Sequence, residues 1–101
     1  MATPEFVISS AIVNVNVENT SKILFLPPAS TVLGQTFLIY DISGVSGLVN
    51  FIYLSTVGVD RLDYSQNLVQ FTSQYQSIRV FAQNQSNYAV LQNNVLGCNW
   101  F

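Results

Sequence analysis

Only eight of the 101 side chains carry charge, so the residues able to do acid, base or metal chemistry are quickly named. They are Lys22, Arg61 and Arg79 on the basic side, and Glu5, Glu18, Asp41, Asp60 and Asp63 on the acidic side. Histidine is absent, which excludes Ser-His-Asp and Cys-His catalysis and any histidine-based metal site. Asp60 and Asp63 are the closest carboxylate pair. A glycosidase needs two carboxylates flanking a bond, but these two bracket Arg61 in a predicted turn. Turn-forming, charge-balancing aspartates are the expected role. The alternative is a weak Ca²⁺ site made from both carboxylates and backbone carbonyls. Asp41 ends an apolar run just before Ser43-Gly44 and is expected to accept backbone hydrogen bonds there. The lone Cys98 gives neither an internal disulfide nor a cysteine metal framework, and is expected to be a small buried hydrophobe. No catalytic residue, cofactor or metal ligand is nominated.

Two further constellations invite binding readings. Aromatic rings stack on sugar faces while Asn and Gln bond hydroxyls, so Tyr53, Tyr64, Tyr75, Tyr88 and Trp100 are candidate glycan contacts. Interface packing explains the same residues and is preferred, because Tyr and Trp are enriched at interfaces. Arg79 shares a face with Tyr75, Ser77 and Phe81. It either pairs with an acidic group of a neighbouring subunit, such as Asp63, or faces solvent.

The background to these residues is apolar and neutral. Half of the chain is hydrophobic, thirteen side chains are aromatic, and 35 are Asn, Gln, Ser or Thr. An ordinary soluble domain carries roughly 25% charge, against 8% here. A single domain of this size buries only about 60–65% of its unfolded surface. It cannot hide so many apolar side chains alone, and large exposed patches are rare in monomers. Partner chains are the expected cover. A net charge of −2 without clustered Lys and Arg argues against nucleic acid. No apolar run approaches the roughly 18–20 residues that span a bilayer, and Met1-Ala-Thr-Pro-Glu5 lacks the basic start of a secretion signal. Neither membrane insertion nor export is expected, and synthesis in a cytoplasm is.

The period of the pattern is two. Val13, Val15 and Val17 alternate with Asn14, Asn16 and Glu18, as in a half-buried strand. Further strands are expected at Lys22–Leu26, Thr36–Ile42, Asn50–Leu54, Leu68–Thr72, Tyr75–Ala82 and Asn87–Gln92. Val, Ile, Phe, Tyr and Thr dominate them. Turn chemistry separates them: Pro27-Pro28-Ala29-Ser30 cannot continue a ladder, and Ser43-Gly44, Ser46-Gly47, Gly58 and Asn84-Gln85-Ser86 punctuate the rest. An all-β fold follows, a small sandwich, jelly-roll-like module, barrel or β-prism. Thr36–Ile42 and Asn50–Leu54 are apolar on both faces, which predicts cover on both sides. Leu24, Leu26, Phe37, Ile39, Phe51, Ile78, Val80 and Val90 are the expected packed interior or interface. Residues 93–101 read as an apolar docking tail, with Val95, Leu96, Trp100 and Phe101 as its anchors.

From about Asn14 to Gln92 the chain resembles a β-stranded module of viral fibre proteins, found in phage tail fibres and spikes and in surface proteins of large DNA viruses. The carrying pieces are Leu26-Pro27-Pro28-Ala29-Ser30, Gly34–Gly44, Asn50–Leu54, Gly58–Asp63, Gln74–Phe81 and Asn87–Leu91. The last hairpin differs, with Gln83–Ser86 before Asn87-Tyr88 where the module has Ser-Asp-Gly before Asn-Trp. Val59 also separates Gly58 from Asp60. The resemblance implies a homotrimer at a virion surface, made in the host cytoplasm, acting as fibre segment, cap or capsid decoration without chemical activity. Its partners would be the major capsid protein or another virion protein. A host glycan or receptor is the alternative partner, for an attachment tip. The length suggests a free-standing small virion protein. Functional amyloid is a further option, since low charge and high β-propensity suit steric zippers. The prolines, glycine turns and non-repeating strands argue against it.

Overall fold

Alternation becomes burial along the chain. Val15 and Val17 are buried and Val13 is half-buried, while Asn14, Asn16 and Glu18 are exposed. The computed structural model describes residues 3–94. Among these residues nine strands form, β1 (Glu5–Val7), β2 (Ile12–Val15), β3 (Lys22–Phe25), β4 (Thr36–Asp41), β5 (Ile52–Ser55), β6 (Arg61–Leu62), β7 (Leu68–Gln70), β8 (Ser77–Asn84) and β9 (Asn87–Asn94). A 3-10 turn, Ala29–Thr31, follows the two prolines. Each longer run expected from the sequence is a strand, shifted by one or two residues at its ends. The two strands not anticipated, β1 and β6, span three and two residues. That is too short to display a period.

Two mixed sheets result, one ordered β1-β3-β5-β7 and the other β2-β4-β8-β9-β6. The chain alternates between them, sending each odd strand up to β7 to the first and each even strand to the second. Parallel neighbours normally need a helical crossover. Here the crossover between β1 and β3 is β2, and that between β3 and β5 is β4, each laid in the opposite sheet. Only β8 and β9 form a hairpin of consecutive strands. The outcome is a small β sandwich.

Its core draws on both sheets. Leu24, Leu26, Phe37, Ile39, Ile78 and Val80 are buried as expected, and Val90 packs against them half-buried. Ile8, Val17, Ile52, Leu54, Leu62, Phe71 and Tyr88 complete it. Full burial of each large side chain contributes about 1.5–3 kcal/mol. Phe51 corrects the expectation. Ile52 and Leu54 take the inward side of β5, so Phe51, one residue before Ile52, lies on the outer face beside Tyr53 and is only half-buried. The same alternation sends Phe37 and Ile39 inward and Leu38 and Tyr40 outward.

The molecule measures 41 × 34 × 23 Å. Two sheets about 10 Å apart, with side chains on their outer faces, already fill the shortest dimension. No third layer covers either outer face among the described residues. The docking tail, Val95, Leu96, Trp100 and Phe101, and Cys98 lie outside them.

Candidate functional site

Asp41 sits at the end of β4 on the same inward face as Phe37 and Ile39, fully buried. A carboxylate there is tolerated only with its lone pairs occupied. Oδ1 accepts from the Ser43 N–H (3.0 Å), the Gly44 N–H (3.1 Å) and the Ser43 hydroxyl. Oδ2 accepts from the N–H groups of Ser46 and Tyr75, both at 3.1 Å. Burial pushes this carboxyl up, and the hydrogen bonds from Ser43, Ser46 and Tyr75 outweigh it, holding Asp41 below its ordinary value. Five donors on roughly four lone-pair sites leave no room for a cation. Asp41 is a clamp between two turns.

The second turn is fastened by its own bonds. Gln76 Oε1 accepts from the N–H groups of Thr72 (2.9 Å) and Ser73 (3.2 Å), and its amide donates to Asn93 Oδ1 at 2.8 Å. The Ser46 hydroxyl donates to the Ser73 carbonyl, and the Gln74 amide to the Gly44 carbonyl at 2.9 Å. Asp-x-Ser-Gly in the sequence announces the near half of this clamp. Nothing local announces Tyr75 and Gln76, which arrive from more than thirty positions away.

Asp60 does similar work at the proline corner. Its buried Oδ2 accepts from the Ala29 N–H at 2.8 Å. Its carbonyl accepts from the Thr56 hydroxyl (2.7 Å) and the Arg61 guanidinium (2.8 Å). Beside it the Tyr88 hydroxyl donates to the Pro27 carbonyl at 2.6 Å. Burial first and the Asp60 charge second push the Tyr88 phenol up to about 12. Tyr88 therefore leaves the set of sugar-contact candidates: it is 0% exposed and edge-packed on Phe37. It occupies an inward position of β9, opposite Ala82.

Asp63 and Tyr64 are both left-handed, with φ of 49° and 62°. Asp63 Oδ1 accepts from the Val90 N–H (2.9 Å), and Asn87 Oδ1 from the Tyr64 N–H (2.7 Å). The carboxylates of Asp60 and Asp63 thus serve different backbone amides instead of converging on a cation. Among the described residues no three acid or thiol side chains gather to hold one. The Ca²⁺ alternative loses its basis.

The other tyrosines are accessible to different degrees. Tyr64 is 68% exposed, its hydroxyl accepting from the Asn84 amide at 2.8 Å. Tyr75, left-handed with φ of 56°, covers Gly44 and is half exposed. Trp100 lies outside the described residues. Arg79 is exposed on the outer face of the five-stranded sheet, in register with Leu38 and Gln92.

Tyr53 belongs to the most apolar open surface. Register places Glu5, Ile23, Tyr53 and Gln70 in one row and Val7, Phe25, Ser55 and Leu68 in the next, on the outer face of the four-stranded sheet. Phe51 adjoins Tyr53, with ring centroids 6.2 Å apart. The other outer face mixes Leu38, Tyr40 and Phe81 with Asn14, Ser77, Arg79 and Gln92. Two open recesses lie elsewhere on the surface of the described residues. One of about 170 Å³ lies between Phe6, Ile8, Ile12 and Leu24, the other of about 270 Å³ between Glu18, Val45, Leu48 and Val49. Both are mostly apolar and neither gathers polar groups for chemistry. No protein-family model matches this chain, and no curated protein matches it.

Proposed function

We propose that this chain is a structural virion protein, a homotrimeric β module serving as a fibre, cap or decoration component on a virus surface. One observation carries most of the weight: the outer face of the four-stranded sheet bears Ile23, Phe25, Phe51 and Tyr53 at its centre, with Glu5 on the edge strand the one charge in their rows. Charged side chains normally keep such faces apart in solution. The polar networks at Asp41 and Asp60 hold turns in place and, among the described residues, aim no reactive group at a cleft, which suits a mechanical role. The likeness to viral fibre modules supplies the virion setting and the stoichiometry. Light scattering at micromolar concentration tests the trimer, with a mass about three times the 11.2 kDa chain expected. A clean monomer overturns it. Locating the chain in a density map of a whole particle tests the virion setting and identifies the capsid protein beneath.

A glycan-binding tip is the second reading, favoured by the exposed Tyr64 ring with the Asn84 amide beside it. It predicts saturable binding to a glycan array that Tyr64→Ala abolishes. Silence of the unaltered protein on the array removes it.

A further inference from the structure

We infer that the apolar recess at the Asp41 end of the sandwich is the seat of this chain's own residues 95–101, with Trp100 as the anchor. The inference goes beyond the virion reading and holds for a single chain as well as for a trimer.

The recess itself makes the first argument. Val45, Leu48 and Val49 line it together with Glu18 and Asn50, around a volume of about 270 Å³. Leu48 and Val49 are 62% and 83% exposed. Polar bonds fix the loop that carries them. The Asn50 amide donates to the Val17 carbonyl at 2.8 Å, and the Ser46 N–H donates to Asp41 at 3.1 Å. Two apolar side chains are thus held out in solvent by a polar frame. Pockets for small-molecule ligands run about 300–1,000 Å³ and bring several polar groups together. This one is smaller, and Glu18 is the one carboxylate among the described residues lining it. Its size suits a side chain better than a free ligand.

Topology brings the occupant to the same end. β4 finishes at Asp41, β8 starts beside it, and β9, antiparallel to β8, finishes there with Asn94 opposite Ser77. In the order β2-β4-β8-β9, the end of β9 lies two strand spacings from β4 and three from β2, about 10 and 14 Å. A chain spans at most about 3.3–3.6 Å per residue, so residue 100, six beyond Asn94, reaches about 20 Å. That covers the distance and leaves room to cross the intervening turns. Residues 95 and 96 reach only about 7 Å. They stop over the Tyr75 turn and Ile42, both about half exposed.

Chemistry matches the two. Val95-Leu96-Gly97-Cys98-Asn99-Trp100-Phe101 has no charged side chain. Tryptophan presents a large apolar body and a single N–H donor, which needs an acceptor once buried. Glu18 supplies one. Its carboxylate accepts from the Asn16 amide at 2.9 Å and has lone pairs to spare.

Trp100 is the one tryptophan of the chain, so fluorescence of the intact protein reads the inference directly. Its emission should be blue-shifted from that of the urea-unfolded chain and shielded from acrylamide. Leu48→Glu, at an exposed position, should shift the emission to the red and restore quenching, with an unchanged far-ultraviolet circular dichroism spectrum. Emission of the unaltered protein matching that of the unfolded chain overturns the inference. So does a shielded tryptophan that neither Leu48→Glu nor Val49→Glu exposes, because it is then buried elsewhere. A cross-link identifies which chain supplies the segment. Val49→Cys/Phe101→Cys in a Cys98→Ser background should oxidise to a disulfide-closed monomer on a non-reducing gel, since a disulfide needs Cα atoms within roughly 7 Å. Disulfide-linked dimers overturn the same-chain assignment in favour of exchange with a second copy, and thiols that stay free overturn the docking itself.

Discussion

Two buried polar side chains show how single residues set the stability of this domain. Asp41 accepts from four backbone N–H groups and one hydroxyl, so its replacement strands donors instead of merely losing contacts. Asp41→Asn puts an amide donor against the N–H of Ser46 or Tyr75 and should destabilise the fold by about 3 kcal/mol or more, read from denaturant midpoints. Because the folded carboxyl lies below its ordinary value, the stability it contributes is complete above the unfolded carboxylate's pKa. It is lost as the pH falls through the lower folded value. Acid titration of stability should therefore flatten in the Asn variant. Tyr88 acts at the other end of the scale. Its phenol is neutral until about pH 12 in the fold but ionises near 10 when unfolded. The unfolded state then holds fewer protons, so stability falls as pH rises from about 10 to about 12. Ultraviolet titration should show the Tyr88 phenol ionising late, near pH 12. Tyr88→Phe should cost about 1–2 kcal/mol, through the orphaned Pro27 carbonyl, and abolish that late step.

Elements are joined here by turns whose backbones nearly touch. Gly47 has φ of +85°, and a Cβ added to it would strike the Thr72 carbonyl. Gly58 has φ of +57° with open space around it. Gly58→Ala should cost only the left-handed penalty, about 1–2 kcal/mol. Gly47→Ala adds a backbone collision and should cost about twice as much in a paired denaturation series. Equal losses would mean the two turns need not approach as they do. Strand existence was readable from periodicity, down to the inward set of β4 and the two-proline stop after β3. The partners of each strand were not. β1 and β3 are parallel neighbours with β2 laid in the other sheet between them, and no local preference encodes a pairing that skips a strand. For the same reason Phe51 could not be told from Ile52 by hydrophobicity. Both faces of β5 are apolar, and only the position of the opposite sheet decides which one is inside.

At the scale of the whole molecule, the proposed trimer would form between chains that carry only eight charged side chains each. An association driven by a largely neutral, apolar surface should depend only weakly on salt. Between 50 and 500 mM NaCl its dissociation constant should change by less than about twofold, since screening acts on charges, of which the chain has few. A steep salt dependence in analytical ultracentrifugation would instead point to the few charged groups, Arg79 first among them.

Composition and alternation alone determined the all-β class, the exclusion of histidine-based chemistry and most of the core, because period-two patterning and missing histidine are properties of the chain itself. Asp41's role at a turn was also legible, since Asp before Ser-Gly bonds locally. Only the tertiary structure decided that Tyr88 is interior, that Asp60 reaches the proline corner, and which apolar face remains open. Each of those outcomes depends on segments dozens of residues apart becoming neighbours, and burial belongs to the assembled sheets, not to any residue type.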